Sequence, residues 1–599
     1  MNKFVFLVLY VSALLFQPAN AQVISSDGIN PIVTFKDTPQ EQVYMHYNSS
    51  LLFTGEYLYY KIYCLTGAKL QFSSLSTVAY VELVSEDKTV VFRHKIKLTS
   101  GKGQGDFFIP TSVASGNYKL ICYTQWMRNS KRNKFFQSDI AIINPYQGDQ
   151  KKITRAYENS EKQLGFLTEN NQVSQSDISS NEGSNVIRLF VDQKQYGKRK
   201  KVSLKINHKS TNFSNSYTSL SVRKIDTINV PVRTTANVFT ASIDKMSNHR
   251  VDLTANRVFL PELRGWLFSG KIVTENPELS MENKKVILSV PGKSYDLKMA
   301  TTNDDGSFFM NIDKPYVESE AFIQVLGDND KFSINIDQHV PMDYKGLKFE
   351  NNFYITSDMK QMILDRSVYN QINNGYFNAK PDTINLPRPI VPFYGEHLQA
   401  YNLDDYTRFP TVKETVVEIV ENVRTKKIGE EKFIFLIKKE KPVFEGSNFL
   451  PLVIVDGLMI QDHTDVVTYN ANNVEKISYS RIPYFISSQI FQGVLDIKTN
   501  TSNFYEKYTK SYLKKIKLFT PEPKKNYFIQ SYEGDREKQF SHVPDFRQQL
   551  LWLPDLKLDK EETNINFYTS DNTGSYEICL EGFNEQGKPI SVKKVFRVE

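Results

Sequence analysis

The chain has 599 residues, 40% hydrophobic and 13% aromatic (33 Tyr, 40 Phe), with a formal net charge of +7. This length predicts several domains, and the aromatic richness favours strands over helices. A charge of +7 spread this thinly, with no dense Lys/Arg stripe, argues against a nucleic-acid partner.

Residues 1–21 have the three parts of a secretory signal: Lys3, an apolar run over 4–16, and Ala19-Asn20-Ala21 as the cleavage site. Cleavage after Ala21 and export to the periplasm are expected. No Cys follows that site, so no lipid anchor is expected, and no later stretch offers the roughly 18 apolar residues of a membrane helix.

Residues 22–149 carry alternating segments at 43–47, 58–64, 79–83, 90–94, 105–110 and 118–123, separated by Gly-containing turns, which predicts a β-sandwich. Cys64 and Cys122 both fall in these strands, and either a bridge or two core thiols fits. Residues 150–184 are too polar to bury a core and read as a linker. A second sandwich is expected over 185–257, from strands at 186–191 and 202–206, with residues 198–201 as a solvated basic hairpin. A third is expected over 258–345, where Asp305-Gly306 is a hairpin signal. Residues 346–410 read as a helical and extended linker, with a helix at 357–371. Over 411–505 the reading changes to α+β. Thr411 and Glu414 form a capping box opening a run at 416–423, and apolar strands at 451–456 and 491–499 flank a short helix at 470–477. Asp456 and Gly457 shape the turn after the first of those strands, and Gly493 permits a tight approach beside the second. A last sandwich is expected over 506–599, with Cys579 in a strand as a small hydrophobe. The fold class is therefore mainly β: tandem β-sandwich domains plus one small α+β domain.

Several phrases resemble known families. Gly116-Asn117-Tyr118-Lys119-Leu120, running into Tyr123-Thr124-Gln125-Trp126-Met127-Arg128-Asn129, resembles the second macroglobulin domain of α2-macroglobulin-like proteins. Thr301-Thr302-Asn303-Asp304-Asp305-Gly306-Ser307-Phe308 resembles carboxypeptidase regulatory-like domains. Pro451-Leu452-Val453-Ile454-Val455-Asp456-Gly457, closing with Phe491-Gln492-Gly493-Val494-Leu495-Asp496, resembles the plug of TonB-dependent outer-membrane receptors. Only 99 residues follow Asn500, whereas a barrel of about 22 strands needs roughly 200, so a plug-like unit without its own barrel is expected. Leu403-Asp404-Asp405-Tyr406-Thr407-Arg408-Phe409-Pro410, with Pro544-Asp545-Phe546-Arg547, resembles large exported Bacteroidota proteins that combine such domains. The resemblance implies an outer-membrane β-barrel protein or complex as partner, with membrane association through that partner. Asp404, Asp405, Tyr406 and Arg408 are then either a partner contact or an internal salt-bridged turn. Thr227 and Thr383, each in an Asp-Thr-Ile triplet, resemble O-glycosylation sites of Bacteroidota.

Chemical motifs are missing from the sequence. Cys122 and Gln125 have the raw thioester spacing but lack its glycines and Glu. The histidines are scattered with no HExxH, and Asp462-His463 reads as an exposed loop. There is no Gly-x-Ser-x-Gly elbow. The glycines at 101, 103 and 105 read as a turn between strands, and residues 303–306 read as a turn without the ligands of an EF-hand. No catalytic residue, cofactor or metal is expected. The reading is a non-enzymatic periplasmic scaffold or adaptor. The alternatives are a ligand- or glycan-binding accessory of TonB-dependent uptake, or a macroglobulin-like protease inhibitor without a thioester.

Overall fold

The computed structural model describes residues 38–67, 70–130, 135–150, 153–154, 187–208, 215–226, 228, 230–243, 258–292, 295–313, 320–327, 330–349, 352–385, 394, 398–440 and 449–599. The expected signal sequence, nearly all of the expected linker and Thr227 lie outside them. Strands dominate, arranged as sandwiches around separate apolar cores.

In the first sandwich, Tyr57–Thr66 pairs with Glu41–Tyr47 on one edge and with Gln71–Phe72 and Lys102–Phe108 on the other. The facing sheet runs Leu51–Phe53, Phe136–Ile143, Gly116–Tyr123, Val78–Ser85, Val90–Lys97. Every residue of Gly116–Tyr123 is buried, because later segments cover its outer face; Asn117, for instance, exchanges hydrogen bonds with the Phe353 backbone. Cys64 and Cys122 are buried free thiols in these strands, and Cys579 is a third in Gly574–Phe583.

The expected second and last sandwiches are one unit. Lys201–His208 pairs with Ile187–Val191 and with Glu562–Tyr568. Ser216–Lys224 lies between Gln549–Leu558 and Gly574–Phe583, followed by Pro589–Val598 and, at the edge, Gln195–Tyr196. Each segment alone leaves its apolar face uncovered; together they bury Leu204, Leu220, Val222, Leu551, Ile578 and Leu580 in one core. The basic run at 198–201 is a turn that enters the strand at Lys201, exposed except at Arg199, which ion-pairs with Asp571 at 2.6 Å.

The third sandwich packs Ser307–Ile312, Trp266–Val273 and Ser333–Ile336 against Asp296–Thr301, Lys285–Val290 and Glu320–Val325. Lys514–Lys517 returns from far along the chain as its edge strand. The Asp305-Gly306 turn, with Gly306 at φ 82°, joins no hairpin: its flanking strands belong to different sheets. The α+β unit has a mixed sheet, Gln399–Asn402, Val474–Ser480, Val494–Thr499, Leu452–Val455, Leu458–Met459, with Leu452–Val455 parallel to Val494–Thr499. The helix Val412–Glu418 carries the full capping box of Thr411 and Glu414. It ends before Val423, which begins the hairpin Val423–Ile428/Lys432–Ile437. In place of the short helix expected at 470–477, a 3-10 turn at Ala471–Asn473 leads straight into a strand.

Helix Lys360–Gly375 ties the units together. Arg366, 4% exposed, donates to Glu56 at 2.7 and 2.8 Å and to Asp226 at 2.5 Å, and Arg223 reaches Glu56 at 3.1 Å. Among the described residues no helix is long and apolar enough to cross a membrane.

Candidate functional site

The turn at Asp456-Gly457 is where the α+β unit meets the third sandwich. Asp456 (φ 49°) is nearly buried, and its carboxylate accepts from the Thr499 N–H at 2.8 Å, the Thr499 hydroxyl at 2.5 Å and the Phe504 N–H at 3.0 Å. It thereby staples the two parallel strands and the next segment together. Gly457 has φ 87°, and a Cβ there would sit 2.4 Å from Tyr295 Cβ and 3.0 Å from Pro291 Cα. The neighbouring sandwich therefore presses directly on the turn. Gly493, at φ 80°, has the Ser480 carbonyl where a Cβ would be, at 2.1 Å.

Around that turn the joint is closed. Ile287 and Leu297 of the sandwich bury against Leu452, Ile454, Met459, Phe491 and Val494. Gln324 donates to the Met459 carbonyl at 2.9 Å, and Gln461 donates to Gln324 at 2.6 Å and to the Val325 carbonyl at 2.9 Å. Tyr394 and Tyr295 donate to Asp496 at 2.6 and 3.2 Å. Burial raises the Asp496 carboxyl above its ordinary range, against the lowering effect of those two hydroxyls. Full burial of each aliphatic side chain contributes about 1.5–3 kcal/mol, so parting the two units costs several such contributions.

At the far edge of the same sheet lies Gln399–Asn402, followed by the 3-10 turn Leu403–Asp405. Arg408 donates to the carbonyls of Ala471 at 3.0 Å and Val474 at 2.5 Å and ion-pairs with Asp404. It is an internal staple. Asp404, Asp405 and Tyr406 stay exposed, Tyr406 at 44% with its ring tilted 6.1 Å from Tyr401. The turn thus leaves an exposed Tyr and two exposed carboxylates next to an edge strand of the sheet. Thr383 is exposed, in the short strand Thr383–Ile384 that pairs with Lys525–Asn526.

The Asp462-His463 reading as an exposed loop is overturned. His463 is 4% exposed, and its Nδ1 accepts the Phe435 N–H at 3.1 Å. Burial pulls its pKa down to about 4, with Asp462 opposing weakly. Among the described residues no group of His, Cys, Asp and Glu is placed to hold a metal ion.

Sequence reading missed the joints between units, since their residues come from distant segments. One is a row of near-parallel rings: Phe377 and Tyr57 (6.4 Å, 14°), Tyr57 and Tyr59 (5.6 Å, 15°), Tyr59 and Trp552 (6.0 Å, 23°). The Tyr-rich strand Tyr57–Thr66 was the available signal, but alternation alone does not tell an open platform from a core.

No protein-family model and no curated protein matches the sequence. Among solved structures, Escherichia coli alpha-2-macroglobulin activated by porcine elastase is 8% identical, with 93% of this chain and 44% of that one covered and a TM-score of 0.23. The native conformation of the E. coli protein gives 8%, 93%, 22% and 0.15. Salmonella alpha-2-macroglobulin reacted with methylamine gives 7%, 93%, 39% and 0.23. The chain thus spans less than half of each of these proteins, and scores this low carry no functional conclusion.

Proposed function

We propose that this chain is a non-enzymatic periplasmic scaffold or adaptor that binds an outer-membrane β-barrel protein or an assembly complex of that membrane. The observation that carries the reading is the closed joint at Asp456-Gly457. A plug works by filling and gating a barrel, and this unit is held against a sandwich of its own chain by seven apolar side chains and a set of buried hydrogen bonds. Such a unit serves better as a fixed part of a larger surface than as a movable stopper. Its opposite edge, with Asp405 and Tyr406, is where the partner docks in this reading.

The test is a mild-detergent pull-down of the tagged protein from its native envelope, followed by mass spectrometry. Stoichiometric recovery of an outer-membrane barrel is expected, with loss of most of it in the double variant Asp405→Lys, Tyr406→Ala. Arg408 is left intact because it holds the turn. Recovery of no outer-membrane protein, or undiminished recovery by the double variant, overturns the reading.

A second reading, a ligand-binding accessory of an uptake system, is favoured by the ring row, whose outermost member, Phe377, is 45% exposed. It predicts that Phe377→Ala abolishes binding of a neutral oligosaccharide while leaving the barrel pull-down unchanged.

A further inference from the structure

A cleft sits where the first sandwich, the split sandwich and the returning segment at 519–528 converge, and has a volume of about 540 Å³. That is the size range of small-molecule sites, roughly 300–1,000 Å³. Five lysines line it (Lys61, Lys97, Lys102, Lys524 and Lys557) against three carboxylates, Asp313, Glu522 and Asp555.

Those carboxylates do not balance the lysines. Asp555 is shared: Lys61, 3% exposed, and Lys524, at 2.5 Å, both pair with it. Asp313 is paired outside the cleft with Lys298 at 2.8 Å. Among the described residues, Lys97, Lys102 and Lys557 have no carboxylate within ion-pair distance. Lys97 donates to the Asp313 carbonyl at 3.1 Å and Lys102 to the Ser100 carbonyl at 3.0 Å. The Lys102 ammonium lies 4.3 Å from the Phe72 ring centre and 3.8 Å from that of Tyr217, and the Lys557 ammonium 6.0 Å from the latter. Burial, and then Lys61, lower the Lys102 pKa, a cost that a bound anion would relieve.

Gln104 forms part of the cleft wall. Gln104 is 7% exposed, and its Nε2 donates to the Lys525 carbonyl at 2.7 Å, which fixes the amide's orientation. Its Oε1 has no partner.

We infer that this cleft binds a small polyhydroxylated organic anion, a sugar acid or sugar phosphate of one to three rings. The anionic group meets Lys97, Lys102 and Lys557, and the rest of the molecule fills the cleft beside them. An inorganic ion alone leaves most of the 540 Å³ unfilled. The site does not depend on an outer-membrane partner, so a failed pull-down leaves it standing.

Isothermal titration of the purified protein with digalacturonate, glucose 1-phosphate and, as the uncharged control, maltose tests this at low and high salt. At least one acidic probe is expected to bind, more weakly at high salt, and maltose is not. Binding of digalacturonate alone assigns a carboxylate ligand, of glucose 1-phosphate alone a phosphate ligand, and of both a general anion site. Lys102→Met and Lys557→Met should each weaken binding at least fivefold, with unchanged thermal unfolding showing that both variants are folded. Absence of heat with both acidic probes, equal binding of maltose, or indifference to both substitutions overturns the inference.

Discussion

His463 is held neutral by its surroundings: the ring is buried, and Nδ1 is committed as an acceptor to the Phe435 N–H, so a proton there would break that bond and bury a charge. Its folded pKa, about 4, lies below the unfolded value of about 6.5. Between those values the unfolded chain binds more protons, so stability is fully present above about pH 6.5 and is lost as pH falls towards 4. Two and a half pKa units correspond to about 3 kcal/mol as an upper bound. Urea unfolding at pH 7 and pH 4.5 should show His463→Gln losing less stability across that interval than the unsubstituted protein. Equal losses would mean that the ring is not the titrating group. His94, also pulled down to about 4 by burial with Lys525 adding to it, acts in the same window and in the same direction, which is why the variant flattens the profile without abolishing it.

Element by element, strands were the most legible level. In the first sandwich the alternation of Tyr, Val and Ile with polar residues marks all six expected strands, because one face of each is committed to the core. The capping box at Thr411 was equally readable, being local chemistry. Thr411 Oγ1 accepts the Glu414 N–H at 3.3 Å, and Glu414 answers to the Thr411 N–H at 3.2 Å. Thr411→Ala should cost the protein about 1 kcal/mol by denaturant unfolding, and no measurable change would show that the helix is held by packing alone. Legibility failed where a run of β-branched residues fitted either period. Val416, Val417, Ile419, Val420 and Val423 read as one helix, but Asn422 takes φ 61° and turns the chain into a hairpin. Val474 and Ile477 have helical spacing, yet the segment is a strand because it pairs with both Gln399–Asn402 and Val494–Thr499. The turn at Asp456-Gly457 was visible as an apolar strand ending in a turn pair. The lysine cleft was not, since Lys61, Tyr217, Lys524 and Lys557 come together only through the tertiary fold.

For the whole molecule, the arrangement that sequence could not show is the split sandwich. Strand prediction places segments at 186–206 and at 551–582 without saying that they share a sheet, because pairing over such a separation leaves no local trace. Removing the chain after residue 548 deletes both neighbours of Ser216–Lys224 and one of Lys201–His208. The truncated protein should then bind a hydrophobic dye and lose residues 187–224 to protease, while residues 41–143 stay protected. Survival of the 187–224 peptides at the rate of the full chain would show that this half-sandwich stands by itself.

That separation also has a temporal side. Thr218 and the Leu556 carbonyl, joined at 2.9 Å, are 338 residues apart in sequence, and at synthesis rates of about 5–20 residues per second the later strand is made at least about 17 seconds after the earlier one. In the meantime Ser216–Lys224 has two open edges and an uncovered apolar face, the kind of surface that seeks any neighbouring strand. The first sandwich has no such wait, since all its strands are made together. Until its own last strands arrive, the waiting ones are open to capture by any other exposed strand.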